Sequence, residues 1–293
     1  MESENDILRS TETPHVQPQI ELLTKKSSFP TLLDIVMLLV ILVASQAVLV
    51  WALDYADAII DNAGRQMHFD VEHYINEQTY HGAVRAMLYP IYIVMALSLS
   101  MLYMYLRGFR GKPLRYSAKG FNPNIILIGL LWLVAMQVVV EPVSLLLPEA
   151  DQSVDRGFWS IIVSVVFVPV FEELFFRGVI LESLLKPHRR LFSVIVSSLI
   201  FAFMHGQPAI MLTAFVSGLV LGTIYLHTNS VFSTIILHSI NNAIAYALMT
   251  LNLDGFSYYD ILGGGTLYFV VYGVSLVLAG LFTYETWRKR NLS

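Results

Sequence analysis

Long apolar runs divided by short polar stretches set the pattern of this chain. The runs fall at about 31–53, 84–106, 124–147, 158–185, 191–204, 208–226, 230–250 and 267–287. A helix needs roughly 20 apolar residues to cross a bilayer. The pattern therefore predicts an all-α polytopic membrane protein with about eight transmembrane helices. The run at 191–204 is short and is expected to join the next through a break. Residues 1–28 are polar, hold Pro14 and Pro18 and lack an apolar core, so they read as a disordered cytoplasmic tail ahead of a helical membrane domain at 29–293.

Loop charges orient the spans. Lys25 and Lys26 precede the first, and the loop after it is acidic, with Asp54, Asp57, Asp61, Asp70, Glu72 and Glu77. Arg107, Arg110, Lys112, Arg115 and Lys119 follow, then Glu149, Asp151 and Asp155. Lys186, Arg189 and Arg190 come next, then Asp254 and Asp260, and last Arg288, Lys289 and Arg290. Basic loops stay cytoplasmic, so both termini are expected there, in a bacterial inner membrane. The outer connection from Asp54 to Gly82 is the longest and has room for a short surface helix. Gly218 and Gly222 form a pair of small residues that lets helices approach closely.

Composition agrees with this reading. Of 293 residues 56% are hydrophobic and 14% charged, with a mean hydropathy of +0.62, where soluble domains carry about 25% charged residues. The net charge of −4 comes with no basic block that would bind nucleic acid. With no cysteine there are no disulfides, thiol nucleophiles or thiolate ligands. Membrane lipids are the expected surroundings, and the oligomeric state is open.

Against this background the polar residues inside the runs stand out. Phe171-Glu172-Glu173-Leu174-Phe175-Phe176-Arg177 places three charges within an apolar run. Each costs about 2.5–3.5 kcal/mol at bilayer depth on insertion scales. Glu173 and Arg177 are i and i+4 and share a helix face, so they are expected to pair as structural support. Glu172 points about 100° away and is expected to be a free carboxylate facing a polar interior. His205 ends the short run, and His238 and Asn242 stand one turn apart on a later one. At 1.5 Å per residue, Glu172 lies roughly 21 Å above Lys186, and His205 roughly 22 Å above Arg190. His238 and Asn242 lie roughly 15 and 20 Å above Thr228 on the same count. These side chains thus meet in one layer.

Such a set fits hydrolysis. A carboxylate and an imidazole hold and deprotonate water, while a second histidine and an amide stabilise an oxyanion. Alternatively Glu172, His205 and His238 ligate a divalent metal such as zinc that acidifies the water. No His-Glu-x-x-His pattern is present, and Ser217-Gly218 follows Phe215-Val216 rather than a Gly-x pair. Buried polar clusters also serve as glue between helices or as proton relays, so a non-catalytic scaffold and a proton-coupled transporter are competing readings. A relay would favour an inverted repeat, which the sequence lacks.

Three motifs in order, Glu172-Glu173-x-x-x-Arg177, Phe201-x-x-x-His205 and His238-x-x-x-Asn242, resemble those of the CPBP family, the CAAX proteases and bacteriocin-processing enzymes also called the abortive-infection family. Pro169, Phe176, Gly178, Leu221-Gly222, Tyr225 and Thr228 extend the resemblance over about 158–250. The resemblance implies an eight-helix fold with a polar intramembrane cavity. It implies an endopeptidase acting on membrane-associated or lipid-modified polypeptides. It also implies Glu172 and His205 as water activators, His238 and Asn242 as oxyanion stabilisers, and Glu173 and Arg177 as architecture. Family members are called metalloproteases, but whether this chain needs a metal stays open. Glu141-Pro142 lies outside the family pattern and is expected at the outer interface rather than beside Arg177.

Overall fold

The computed structural model describes residues 29–67, 77–109, 122–148, 157–251 and 257–291. The expected tail at 1–28 lies outside them. Nine helices follow in chain order among the described residues: α1 Leu32–Met67, α2 Glu77–Leu106, α3 Pro123–Ser144, α4 Phe158–Leu184, α5 Arg190–Phe203, α6 Pro208–Thr228, α7 Val231–Thr250, α8 Tyr258–Ile261 and α9 Gly265–Asn291. Seven of them are long and apolar enough to cross a membrane, and α5 is a shorter apolar helix. Large apolar side chains stand exposed around the bundle, among them Leu33, Val94, Leu146, Phe203 and Phe269. A water-facing surface would not carry such a girdle. The chain is an all-α polytopic membrane protein.

The predicted spans map onto helices with two differences. The fifth predicted span, α5, has only 14 residues and is about 21 Å long. Gly206 ends its turn with φ +72°, in the region glycine reaches without strain. Pro208 then opens α6, where its missing N–H costs nothing. The second difference is one of length, since α1 runs on to Met67 and α2 begins at Glu77, while residues 68–76 of the connection where a short surface helix was expected lie outside the described residues.

Side-chain contacts identify which helix ends share a face of the bundle. Asp34, fully buried near the start of α1, accepts from Arg107 Nε at 2.6 Å and from Tyr103 at 2.7 Å, both at the end of α2. Lys186, just after α4, stands 3.7 Å over the Phe109 ring, just after α2. At the opposite face Tyr246 of α7 brackets Gly157 before α4, accepting from its N–H at 2.8 Å and donating to its carbonyl at 3.0 Å. There too Glu141, near the end of α3, accepts from the Tyr258 N–H at the start of α8. Glu141 therefore sits near a helix end, as expected, and not beside Arg177.

The central helix is α4, which packs against α2, α5 and α7. Its Phe171, Phe175, Phe176, Val179 and Ile180 form the core with Leu38 and Leu42 of α1, Tyr92 and Ala96 of α2 and Phe201 of α5. The close α5–α6 contact rests on the small residues. A Cβ at Gly218 would lie 2.9 Å from Ser198 Cβ, and one at Gly222 3.1 Å from Val194 Cγ1.

Candidate active site

Local irregularities in α4 shape the site. Two π-helical segments, Ile162–Phe167 and Phe176–Leu181, flank the α-helical Val168–Phe175 that carries both glutamates. Pro169 accounts for part of the first. The N–H of Val168 goes to Val163, and Pro169 has no N–H to offer Ser164. The Ser164 carbonyl instead accepts from Asn242 Nδ2 on α7 at 3.0 Å. Near the second segment the Phe176 carbonyl accepts from Ser197 Oγ on α5 at 3.1 Å. Irregular backbone inside a membrane protein survives where neighbouring side chains satisfy it in this way.

The charged residues form one connected group. Glu173 Oε1, fully buried, accepts from Arg177 at 2.8 Å and from His238 Nδ1 at 3.0 Å. Arg177 also donates to the Gly218 carbonyl of α6 at 3.3 Å, and its guanidinium centre lies 4.8 Å from the Phe201 ring centroid. The other His238 nitrogen, Nε2, stands 3.6 Å from Glu172 Oε2. The Glu172 side chain is 19% exposed where that of Glu173 is 0%. Glu172 is thus the accessible carboxylate of the two, but it is not isolated, because one imidazole bridges both glutamates.

His205 Nδ1 lies 2.8 Å from the Phe201 carbonyl one turn earlier. A carbonyl only accepts, so this bond puts the proton on Nδ1 and leaves Nε2 with a free lone pair, the form a base needs. The edge of the Phe201 ring packs against both imidazoles, with centroids 4.8 Å from His205 and 6.0 Å from His238. Phe201, read from sequence only as part of a motif, is the spacer that sets the two histidines.

A cavity of about 380 Å³ opens beside the histidines. His205, His238 and Asn242 line it together with residues the sequence reading passed over, notably Gln137, Thr213, Ser217, Asn241 and Tyr246. Gln137 donates to Ser217 Oγ at 3.2 Å across α3 and α6. Glu172 lines a second, smaller cavity of about 120 Å³, with Gln46 of α1, Tyr89 and Tyr92 of α2 and Met204. Lone Gln, Thr and Tyr residues in apolar runs carry no spacing rule, so nothing in the sequence ties them to one wall. Among the described residues no three His, Asp or Glu side chains are placed to hold one metal ion. Nδ1 of each histidine is held, in His238 by Glu173 and in His205 by the Phe201 carbonyl, which leaves each Nε2 available, and Glu172 Oε2 stands 3.6 Å from His238 Nε2.

No curated protein and no solved structure matches the chain. Residues 155–244 match the family model described as type II CAAX prenyl endopeptidase Rce1-like. That segment contains α4, α5, α6 and the part of α7 through Ile244, and with them every residue of the three motifs. It leaves out α1, α2, α3, α8 and α9. The helices that carry the glutamates, the two histidines and the asparagine are an Rce1-like domain of the CAAX-protease kind.

Proposed function

We propose that this chain is an intramembrane endopeptidase that hydrolyses a peptide bond of a membrane-associated or lipid-modified polypeptide. The observation that carries the reading is the approach of Glu172 to His238 at 3.6 Å, beside a polar cavity lined by His205, His238 and Asn242 within an apolar bundle. Glu172 and the free Nε2 of His205 hold a water, and Glu172 takes its proton as the oxygen attacks the peptide carbonyl carbon. The carbonyl π bond opens and its electron pair becomes the oxyanion. Asn242 donates one amide hydrogen to Ser164 and keeps the second for the oxyanion. His238, oriented by Glu173 through Nδ1, donates from Nε2 when protonated. Collapse of the tetrahedral intermediate breaks the C–N bond, and the proton held by Glu172 passes to the leaving amine. Glu173 and Arg177 position His238 and α6 without touching substrate.

Basic residues at one face and acidic ones at the other support cytoplasmic termini, in what we take to be a bacterial inner membrane. Protein in liposomes, incubated with a peptide library in prenylated and unprenylated form, tests the reading by mass spectrometry of the products. Parent protein yields defined cleavage, and Glu172→Gln and His205→Ala yield none although both fold. Cleavage by Glu172→Gln at the parental rate would refute the assignment. Prenylated and plain peptides cut alike would confine the family's prenyl requirement to its other members.

A further inference from the structure

The residues around the large cavity run from mid-helix to one end of the helices that form it. On α7 it extends from His238 to Met249, one residue before the helix ends at Thr250. That span is about 16 Å at 1.5 Å per residue. On α6 it involves Ile210, Thr213, Ala214 and Ser217, all in the first half of the helix that starts at Pro208. On α4 it involves Ser164, near the start, and on α3 Gln137, in the last third. Successive helices run in opposite senses, so these are ends of the same face. It is the face marked by the Tyr246–Gly157 and Glu141–Tyr258 contacts.

The physical origin is the shortness of α5. Its 14 residues rise only about 21 Å from Arg190, less than a hydrocarbon core of about 30 Å, before the turn at Met204–Gln207 sends the chain back. Above that turn the bundle has no α5, and the space is lined by polar side chains of α3, α6 and α7 together with apolar ones such as Ile210, Ala214 and Met249. Below it the path is closed by Phe175, Leu181, Leu221, Tyr225, Val231 and Leu237, each at most 1% exposed. The closed side is the one that carries Arg107, Lys186, Arg189 and Arg190.

We infer that the site takes its substrate from the face opposite the basic loops, the extracytoplasmic side, through a water-filled mouth between the start of α6 and the end of α7. The cavity wall holds no Lys, Arg, Asp or Glu. Its amides and hydroxyls suit the backbone of an uncharged, extended polypeptide segment presented from that side. This deepens the proposed peptidase reading and rests on it for the word substrate, whereas the direction of access rests on the cavity's geometry and on the charges of the loops.

The chain has no cysteine, so single cysteines report access without background. Thr213→Cys lies in the cavity wall, Asp260→Cys marks the outer face and Arg189→Cys the basic face. Each is exposed to a membrane-impermeant maleimide in sealed right-side-out vesicles and again in inverted ones. Thr213→Cys is expected to label to the extent of Asp260→Cys in right-side-out vesicles, and Arg189→Cys only in inverted ones. Labelling of Thr213→Cys together with Arg189→Cys, or from neither side, overturns the inference. So does labelling of Thr213→Cys and Asp260→Cys together from the cytoplasmic side. Because labelling needs no turnover, a protein that labels as expected but cleaves no peptide would refute the proposed function and leave the access path standing.

Discussion

Replacing Arg177 with methionine isolates what the buried ion pair contributes. The guanidinium is 2% exposed and Glu173 0%, with 2.8 Å between them. It also donates to Gly218 and rests over Phe201. Arg177→Met keeps much of the volume but leaves Glu173 facing the His238 imidazole at 3.0 Å without the guanidinium. Removing one partner of a buried pair costs about 3–5 kcal/mol, because the remaining charge is uncompensated. That range already contains the cation–π contact, worth about 0.5–2 kcal/mol. Neutralising both members should behave differently, since the cost of burying Glu173 goes as well. Glu173→Gln/Arg177→Met is therefore expected to regain most of the loss, while the amide still offers His238 an acceptor. Glu172→Gln changes the more exposed carboxylate and should unfold like the parent. The assay is unfolding in mixed micelles with increasing SDS, followed by far-ultraviolet circular dichroism. Equal losses in Arg177→Met and Glu172→Gln would refute this division of roles, and a double variant no more stable than Arg177→Met would refute the charge argument.

Asn242→Ala is expected to lose about 10²–10³ in turnover, the usual effect of one oxyanion donor, and to retain a residual rate that Glu172→Gln lacks; the two measured side by side in one peptide assay decide it. At Gly218 alanine gains about 1 kcal/mol of helix propensity. Leucine there loses more than that to overpacking against Ser198, since the Cβ alone already falls 2.9 Å from the Ser198 Cβ, so Gly218→Leu should lower the thermal midpoint in detergent. Activity is expected to survive chelation and removal of divalent ions verified by elemental analysis; loss on chelation with recovery on adding zinc would move the chemistry onto an ion. Cytoplasm-active reporters fused at Lys112 and Arg189 should work and one at Glu72 should not, and the reverse pattern would invert the assignment of faces.

Much of this site was legible because charge in an apolar run is expensive and therefore conspicuous. The i, i+4 spacing of Glu173 and Arg177 gave their pairing, and helix rise brought His205, His238 and Asn242 to one depth. What escaped the sequence depends on distant partners. Pro169 visibly lacks an N–H, but that it leaves the Ser164 carbonyl to Asn242 follows only once α7 lies beside α4. The small-residue pair at Gly218 and Gly222 announced close packing, yet not that α5 would be the neighbour. Gln137, Thr213 and Ser217 join the cavity through the packing of α3 on α6, which no periodicity encodes.

The two glutamates show where helix geometry was sound and the inference drawn from it too narrow. Adjacent residues on a helix point about 100° apart. That argument separates a buried Glu173 from a more accessible Glu172, and their exposures of 0% and 19% differ in that sense. It does not follow that their partners are separate. An imidazole has two nitrogens directed away from each other in one plane. A ring entering from α7 between the diverging side chains can meet Glu173 with Nδ1 and Glu172 with Nε2, and His238 does so at 3.0 and 3.6 Å. A single helix read alone has no third body to place there. The consequence is chemical: the pair that fixes the architecture also orients the histidine beside the reactive carboxylate. A change at Glu173 should therefore alter the pH profile of turnover as well as stability, which a purely structural ion pair would not do.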